Sequence, residues 1–456
     1  MDEKQQKNRK NPTLGERASS EARQESPQGS ESDMAENELD NQETKHMMEE
    51  ILGKENLKAA LKAVLRNKGA PGIDGMTVEE LPEFLKANWT EIRNKLLEGK
   101  YKPQPVRRVE IPKPGGGTRM LGVPTVLDRF LQQAVQQIFQ QKWNDTFSDG
   151  SYGFRPGRSA HQAIERARQY IQDGWNVVVD MDLEKFFDRV NHDVLMSRVA
   201  RRVKDKRLLK LLRAFLNAGV MENGVKSVSN EGMPQGGPLS PILSNVLLHE
   251  LDCELERRGL RFVRFADDCN VYVKTERAGL RVMESITNFL AKRLRLTVNQ
   301  EKSAVGKPAR RKFLGFSFTT SSNPKIRIAP QSLSKAKQKI RHMTRPTKGR
   351  SLIQVIEELA LFLNGWRAYF GYCETPSVFK RLDHWIRRRL RALAWRYWKR
   401  GRTRFTALCL RKVDPRLAAQ TCGSPKGPWH LAKSPALNQA FPIRHFAAMG
   451  LPTLAR

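Results

Sequence analysis

Two short segments carry carboxylates where apolar strands run out. In Val177-Val178-Val179-Asp180-Met181-Asp182-Leu183 a period of two puts Asp180 and Asp182 on one face, unless the strand ends between them. In Arg264-Phe265-Ala266-Asp267-Asp268-Cys269-Asn270-Val271-Tyr272-Val273 an acidic pair occupies the tight connection between two apolar strands. Adjacent carboxylates repel, so such a pair is costly unless positive charge lies between them. A divalent cation is the natural compensation. Hard oxygen donors suit Mg²⁺, which keeps waters and substrate phosphates in its shell. Two such ions about 3.5–4 Å apart can activate a hydroxyl and stabilise a leaving phosphate. Taken alone, an Asp-Asp in a hairpin is often plain turn chemistry, and Asp180 and Asp188 are equally readable as capping or solvated residues.

The elements that must position these groups follow from periodicity. A helical pattern opens at Met48, with Ile51, Leu52, Leu57, Leu61, Val64 and Leu65 on one face, and Gly69-Ala70-Pro71-Gly72 breaks it. Two segments rich in Pro and Gly follow, Tyr101 to Pro105 and Pro112 to Gly117, the second preceded by the β-type residues Val109 to Ile111. Leu127 to Gln141 and His161 to Ile171 read as helices. Val177 to Asp182 reads as a buried strand, and Phe262 to Ala266 with Val271 to Val273 as a hairpin. From Lys335 onward the pattern is helical.

Charge and composition bound the function. The 456 residues hold 81 Lys+Arg against 48 Asp+Glu, a net charge of +33, which speaks of partners rather than fold. The imbalance is uneven. Residues 1–50 hold 7 basic and 13 acidic side chains with few large apolar ones, so residues 1–47 are expected to form a disordered acidic tail. The last 126 residues hold 26 basic and only 5 acidic side chains, the footprint of a polyanion partner. Hydrophobic residues at 39% supply a core and exclude a wholly disordered chain. No apolar run approaches the ~20 residues of a bilayer span and no signal peptide opens the chain, so no membrane partner and a cytoplasmic location, bacterial cytosol or nucleoid, are expected. Five scattered cysteines encode neither a disulfide scaffold nor a zinc knuckle.

Order along the chain then identifies a family. Met181 to Asp188, Gly232-Met233-Pro234-Gln235-Gly236-Gly237-Pro238-Leu239-Ser240-Pro241 and Phe265-Ala266-Asp267-Asp268 resemble the successive palm motifs of a reverse transcriptase. Upstream, Ile111-Pro112-Lys113-Pro114 to Arg119, Leu121-Gly122-Val123-Pro124 and Ser151-Tyr152-Gly153-Phe154-Arg155-Pro156-Gly157-Arg158-Ser159 resemble the fingers motifs of the group II intron lineage. Downstream, Val298 to Ser303 and Lys312-Phe313-Leu314-Gly315-Phe316 resemble the last polymerase motifs, and Asn364 to Phe370 the maturase segment.

The resemblance implies roles. Asp182, Asp267 and Asp268 would hold two Mg²⁺ ions, or Mn²⁺ in their place, with the Leu183 carbonyl a further ligand. Lys113 and Arg119 would hold the dNTP triphosphate, Phe187 would exclude a 2′-OH, and Gln235 and Gly236 would pack against the nucleotide. Lys302 would protonate the departing pyrophosphate. The family usually has Tyr where this chain has Phe265, so the ring is kept and a hydroxyl lost. Longer relatives add an endonuclease with paired cysteines; with none here, that domain is expected to be absent.

In the basic C-terminal part, Leu382, Ile386, Leu390, Leu393 and Tyr397 recur at helical spacing, so residues 380–404 read as one amphipathic helix with a basic outer face. Arg387, Arg388, Arg391, Arg396, Lys399 and Arg400 are its candidate RNA contacts. Trp385, Trp395 and Trp398 interleave with them, an arrangement suited to stacking on unpaired bases.

The expectation is therefore an α+β right-hand polymerase with an all-helical thumb/maturase domain. The N-terminal extension and start of the fingers take residues 48–120, fingers and palm 121–325, and the thumb/maturase region 326–456. Its partners would be group II intron RNA, an RNA template on a DNA primer, dNTP and a DNA target, and its role splicing and retromobility of that intron. Two alternatives share the same residues: a domesticated relative in DNA repair or antiviral defence, and an RNA-binding maturase with a silent polymerase.

Overall fold

The computed structural model describes residues 44–112, 118–222, 225–227, 231–346 and 349–455. The expected acidic tail lies outside the described residues as far as residue 43, and so does Lys113. The chain enters through α1 (Met47–Ile51), α2 (Lys54–Asn67) and α3 (Leu81–Leu97), with Met47 and Met48 fully buried. An antiparallel ribbon follows, β1 (Val106–Pro112) and β2 (Thr118–Val123), which sets Ile111 opposite Arg119.

Helix α4 (Val126–Trp143) starts where the Thr125 side chain accepts from Asp128 N, and α5 (Ala160–Gln172) where Ser159 and Gln162 form a capping box. Then come β3 (Val177–Met181), the short turn α6 (Phe186–Arg189), α7 (His192–Arg202), α8 (Lys206–Leu216), β4 (Val220–Glu222) and β5 (Val225–Ser227). The next elements are α9 (Ser240–Arg257), β6 (Arg261–Phe265), β7 (Asp268–Val273), α10 (Glu276–Phe289), β8 (Ala304–Gly306), β9 (Phe316–Phe318) and β10 (Ile326–Ile328). Helices alone complete the chain: α11 (Pro330–Met343), α12 (Leu352–Phe370), α13 (Ser377–Tyr397), α14 (Gly401–Cys409), α15 (Pro415–Cys422), α16 (Pro428–Leu431), α17 (Pro435–Ala440) and α18 (Ile443–Ala448). This is the α+β architecture with a helical C-terminal part that the sequence implies.

The sheet that positions the carboxylates has the order β6-β7-β3-β8, and every neighbouring pair in it is antiparallel. Both of its faces are covered, which explains strands that read as nearly continuous apolar runs. Val179, Cys269, Val271 and Val273 enter one core with α4 and α9. Val178, Val263 and Tyr272 enter a second core that continues through the C-terminal helices. Each large apolar side chain so buried contributes about 1.5–3 kcal/mol. The sheet is therefore held rigidly between the two halves of the protein.

One expected element is corrected. Residues 380–404 are not a single helix: α13 ends at Tyr397 and α14 begins at Gly401. The cause is packing. Trp398 leaves helical geometry, its ring stacks on Phe441 at 5.6 Å, and its carbonyl accepts from Arg404 Nε at 2.8 Å.

Candidate active site

The register of β3 against β7 brings the two acidic segments together. Asp180 pairs with Asn270 and Met181 with Cys269, the last pair of the ladder, so Asp182 follows where β3 ends and Asp268 is the first residue of β7. β3 thus ends between Asp180 and Asp182, so strand alternation does not relate the two, yet the charges of Asp267, Asp182 and Asp180 all act on Asp268. Beyond the strand, Asp182 is fixed through its backbone: its N–H donates to Ser303 Oγ at 2.9 Å and its carbonyl accepts from Asn299 N at 2.8 Å. Leu183 is buried and bridges Val298.

The same 298–303 segment supplies Lys302. Asn299 Oδ1 accepts from the backbone N–H groups of Glu301 and Lys302, a local turn that presents the lysine. Its Nζ donates to Asp182 Oδ2 at 3.1 Å. Asp180 is occupied differently. It accepts from Arg311 Nε at 2.9 Å and Nη2 at 2.7 Å, while that guanidinium also donates to the Lys302 carbonyl at 2.7 Å.

Asp267 and Asp268 sit at the β6–β7 turn, where Phe265 opposes Asp268 and only Ala266 and Asp267 connect the strands. Ala266 has φ +58°, the positive value that a type II′ turn demands of its first residue. Burial first, then the charge of Asp182, raises the Asp267 carboxyl, while Arg119 and Arg264 oppose the rise. Asp268 reaches solvent at one side, yet burial of its surroundings and then the charges of Asp267, Asp182 and Asp180 push it up to about 6. That is the electrostatic signature of oxygen donors gathered without a neutralising cation between them.

The donor chemistry fits a hard divalent ion, since every side-chain donor is a carboxylate oxygen. As the side chains stand, no three acidic, His or Cys groups among the described residues converge tightly enough to hold a metal. One oxygen of Asp182 is engaged by Lys302.

The nucleotide candidates lie on separate segments. Arg119 is exposed on β2, near enough to Asp267 for its charge to oppose that carboxyl's rise. Phe187 is half-buried and packs edge-on against Phe186 at 5.1 Å. Gln235 and Gly236 form a turn whose Gln235 carbonyl accepts from Gly122 N at 2.9 Å. Gly236 has φ +126°, and a Cβ there would meet the Gly122 carbonyl at 3.0 Å, so the close approach requires glycine.

The candidate RNA contacts divide. Arg396, Lys399 and Arg400 are exposed. The other three do not form the expected outer face, and here the sequence reading is corrected. Arg387 is buried, Arg388 donates to the Trp429 carbonyl at 2.8 Å with its guanidinium 3.8 Å over that ring, and Arg391 donates to the Phe441 carbonyl at 3.0 Å. Trp395 is buried and Trp398 is stacked, so neither offers a face to a base. The helical wheel treated one side of α13 as solvent, whereas residues 429–446 return to cover it. Trp385 stays half-buried, with Lys337, Arg341 and Arg389 over its ring at 5.4–5.9 Å.

Sequence reasoning missed the supports of the hairpin. Arg264 is fully buried against Asp252 and Asn245 of α9, and Gly153 rides on the backbone of Ala266. The available signal was an arginine inside an apolar strand, Arg261-Phe262-Val263-Arg264-Phe265. Arg311, which holds Asp180, gave no signal beyond its basic surroundings.

Residues 111–318 match the family described as reverse transcriptase (RNA-dependent DNA polymerase), and residues 333–410 match the group II intron, maturase-specific domain. Protein YkfC of Escherichia coli (strain K12) is 34% identical over 289 residues, covering 55% of this chain and 76% of that protein. The chain belongs to the group II intron reverse transcriptase and maturase family. The group II intron-encoded protein LtrA of Lactococcus lactis subsp. cremoris is 36% identical over 199 residues, 43% of this chain and 33% of LtrA. The COX1/OXI3 intron 1 protein of Saccharomyces cerevisiae is 26% identical over 430 residues, 80% of this chain and 50% of that protein. The family match thus spans both the sheet that carries the carboxylates and the helices that carry the basic charge. The chain covers half or less of the two intron proteins' own length. Divalent-metal chemistry is general to this polymerase family, and among the described residues no helix is long and apolar enough to cross a membrane.

Proposed function

We propose that this reverse transcriptase copies RNA from a DNA primer with dNTPs at the β3–β7 carboxylates, and that its helical part binds group II intron RNA to assist splicing and mobility. The observation that carries the first half is that Asp182, just past the end of β3, lies near enough to Asp267 and Asp268, at the start of the adjacent β7, for its charge to act on both. Asp182, Asp267 and Asp268, with the Leu183 carbonyl, would hold two Mg²⁺ ions, which when bound would activate the primer 3′-OH and stabilise the leaving pyrophosphate.

The remaining work falls to the chain itself. Arg119, and Lys113 by resemblance, bind the triphosphate as fixed cations that need no reorganisation when charge develops. Phe187 lies against the sugar and discriminates against a 2′-OH. Gln235 and Gly236 let the backbone approach the nucleotide, and Lys302, released from Asp182, gives its Nζ proton to pyrophosphate. Residues 121–325 act as fingers and palm, and residues 326–456 as thumb and maturase region. The excess basic charge after residue 330, with Arg396, Lys399 and Arg400 exposed, supports intron RNA as the polyanion that region grips.

Primer extension on an RNA template, with dNTPs and Mg²⁺, tests the reading. The expected outcome is metal-dependent extension that disappears in Asp267→Ala. An unchanged rate in that variant would contradict the metal assignment.

A further inference from the structure

Arg264 has an unusual situation for a residue outside any motif of chemistry. It is 0% exposed, and so is Asp252, the carboxylate it faces. Its Nε donates to Asp252 Oδ1 at 2.7 Å and its Nη2 to Oδ2 at 2.6 Å, a bidentate pair. The other donors are also used: Nη2 to Ser151 Oγ at 2.8 Å, Nη1 to Asn245 Oδ1 at 3.1 Å, and Nη1 to the Ala266 carbonyl at 2.9 Å. All five N–H groups of the guanidinium are therefore satisfied.

These partners belong to three separate elements: α9, the 148–155 loop and the β6–β7 turn. The loop is laced to β6 as well, because Arg264 N donates to the Gly150 carbonyl and Tyr152 N to the Arg264 carbonyl, each at 2.8 Å. Asn245, held by Arg264, in turn donates to the Gly153 carbonyl at 2.9 Å. Everything converges on Ala266, whose positive φ costs an L-residue about 1–2 kcal/mol and persists only if its surroundings enforce it.

Stability alone does not explain such a pair. Burying two charges is expensive, and apolar residues of similar volume often replace a buried ion pair at no loss. We propose that Arg264 is a positioning residue for nucleotidyl transfer: from behind the sheet it clamps the Ala266 carbonyl and so fixes Asp267 and Asp268 where a divalent cation binds. Lysine cannot substitute. A point charge with three donors cannot hold both Asp252 oxygens, Ser151, Asn245 and Ala266 together.

The inference rests on the polymerase reading, and its test separates the two. Mn²⁺ serves as the probe, its binding to the full chain followed by electron paramagnetic resonance without nucleic acid or dNTP. Site-specific binding is the fraction lost in Asp267→Ala. Arg264→Lys, and separately the double variant Arg264→Met with Asp252→Leu, which leaves no unpaired buried charge, are compared with the parent chain. We expect both to melt cooperatively, to bind site-specific Mn²⁺ about tenfold more weakly, and to lose kcat with the KM for primer-template unchanged. Folded variants with parental Mn²⁺ affinity and kcat overturn the proposal. So does a failure of both to fold, because the pair would then serve architecture alone. A parent chain that binds Mn²⁺ but extends no primer would instead sink the polymerase reading while leaving the clamp to be judged on metal affinity.

Discussion

Substituting Gly153 by alanine should disable the site without touching any carboxylate. A Cβ built on Gly153 would lie 2.3 Å from Ala266 N, 3.0 Å from Phe265 C and 3.1 Å from Ala266 Cα. All three are backbone atoms of the turn that carries Asp267, so no flexible side chain can swing aside. Non-bonded carbon contacts settle near 3.5–4.0 Å, and relieving the clash means separating loop and hairpin by about 1 Å. Overpacking of this kind costs about 1–3 kcal/mol of stability. A 1 Å misplacement in a positioned site costs about 10²-fold in rate. Single-turnover incorporation of one dNTP on a preformed RNA–DNA primer-template should therefore slow about a hundredfold in Gly153→Ala, with primer-template affinity little changed and thermal unfolding still cooperative. Parental turnover in a folded Gly153→Ala protein would refute the reasoning, because it would show that the hairpin tolerates displacement.

Three further outcomes are expected. Lys302→Met removes a pair whose lysine is two-thirds exposed, so the melting temperature should barely move. Proton donation is worth about 10²–10⁴-fold, so the single-turnover rate should fall by that order; an unaltered rate removes Lys302 from the chemistry. Asp268, raised to about 6, takes up its proton in the folded state before it would in the unfolded chain. Its contribution to metal-free stability is thus present at low pH and lost as pH rises through about 6, and Mn²⁺ affinity should fall steeply below that pH and level off above it. Because four carboxylates interact there, the step belongs to the cluster, and titration of Mn²⁺ binding from pH 5 to 8 checks it. Finally, replacing Arg396, Lys399 and Arg400 together should shallow the salt dependence of RNA binding by about 0.7 per lost phosphate contact. Arg391→Ala should instead lower the melting temperature and leave the salt slope intact, since its guanidinium serves the Phe441 carbonyl. Filter binding across a salt series distinguishes the two.

The chain's residue order alone determined much of this protein. Motif spacing located Asp182, Asp267 and Asp268, because the end of an apolar strand and a two-residue connection are local geometry. The charge distribution told which end of the chain concentrates the basic side chains, because net charge needs no coordinates. Tertiary structure decided the rest. It turned Arg387, Arg388 and Arg391 from an assumed RNA face into packing groups, since a helical wheel knows its own faces but not which helices return to cover them. It also paired Asp180 with Arg311 and Asp182 with Lys302 across more than a hundred residues of sequence. Above all, it placed Arg264 and Gly153 behind the Asp267–Asp268 turn. Neither residue touches the chemistry, and their effect on it exists only because α9, the 148–155 loop and the hairpin meet at one carbonyl.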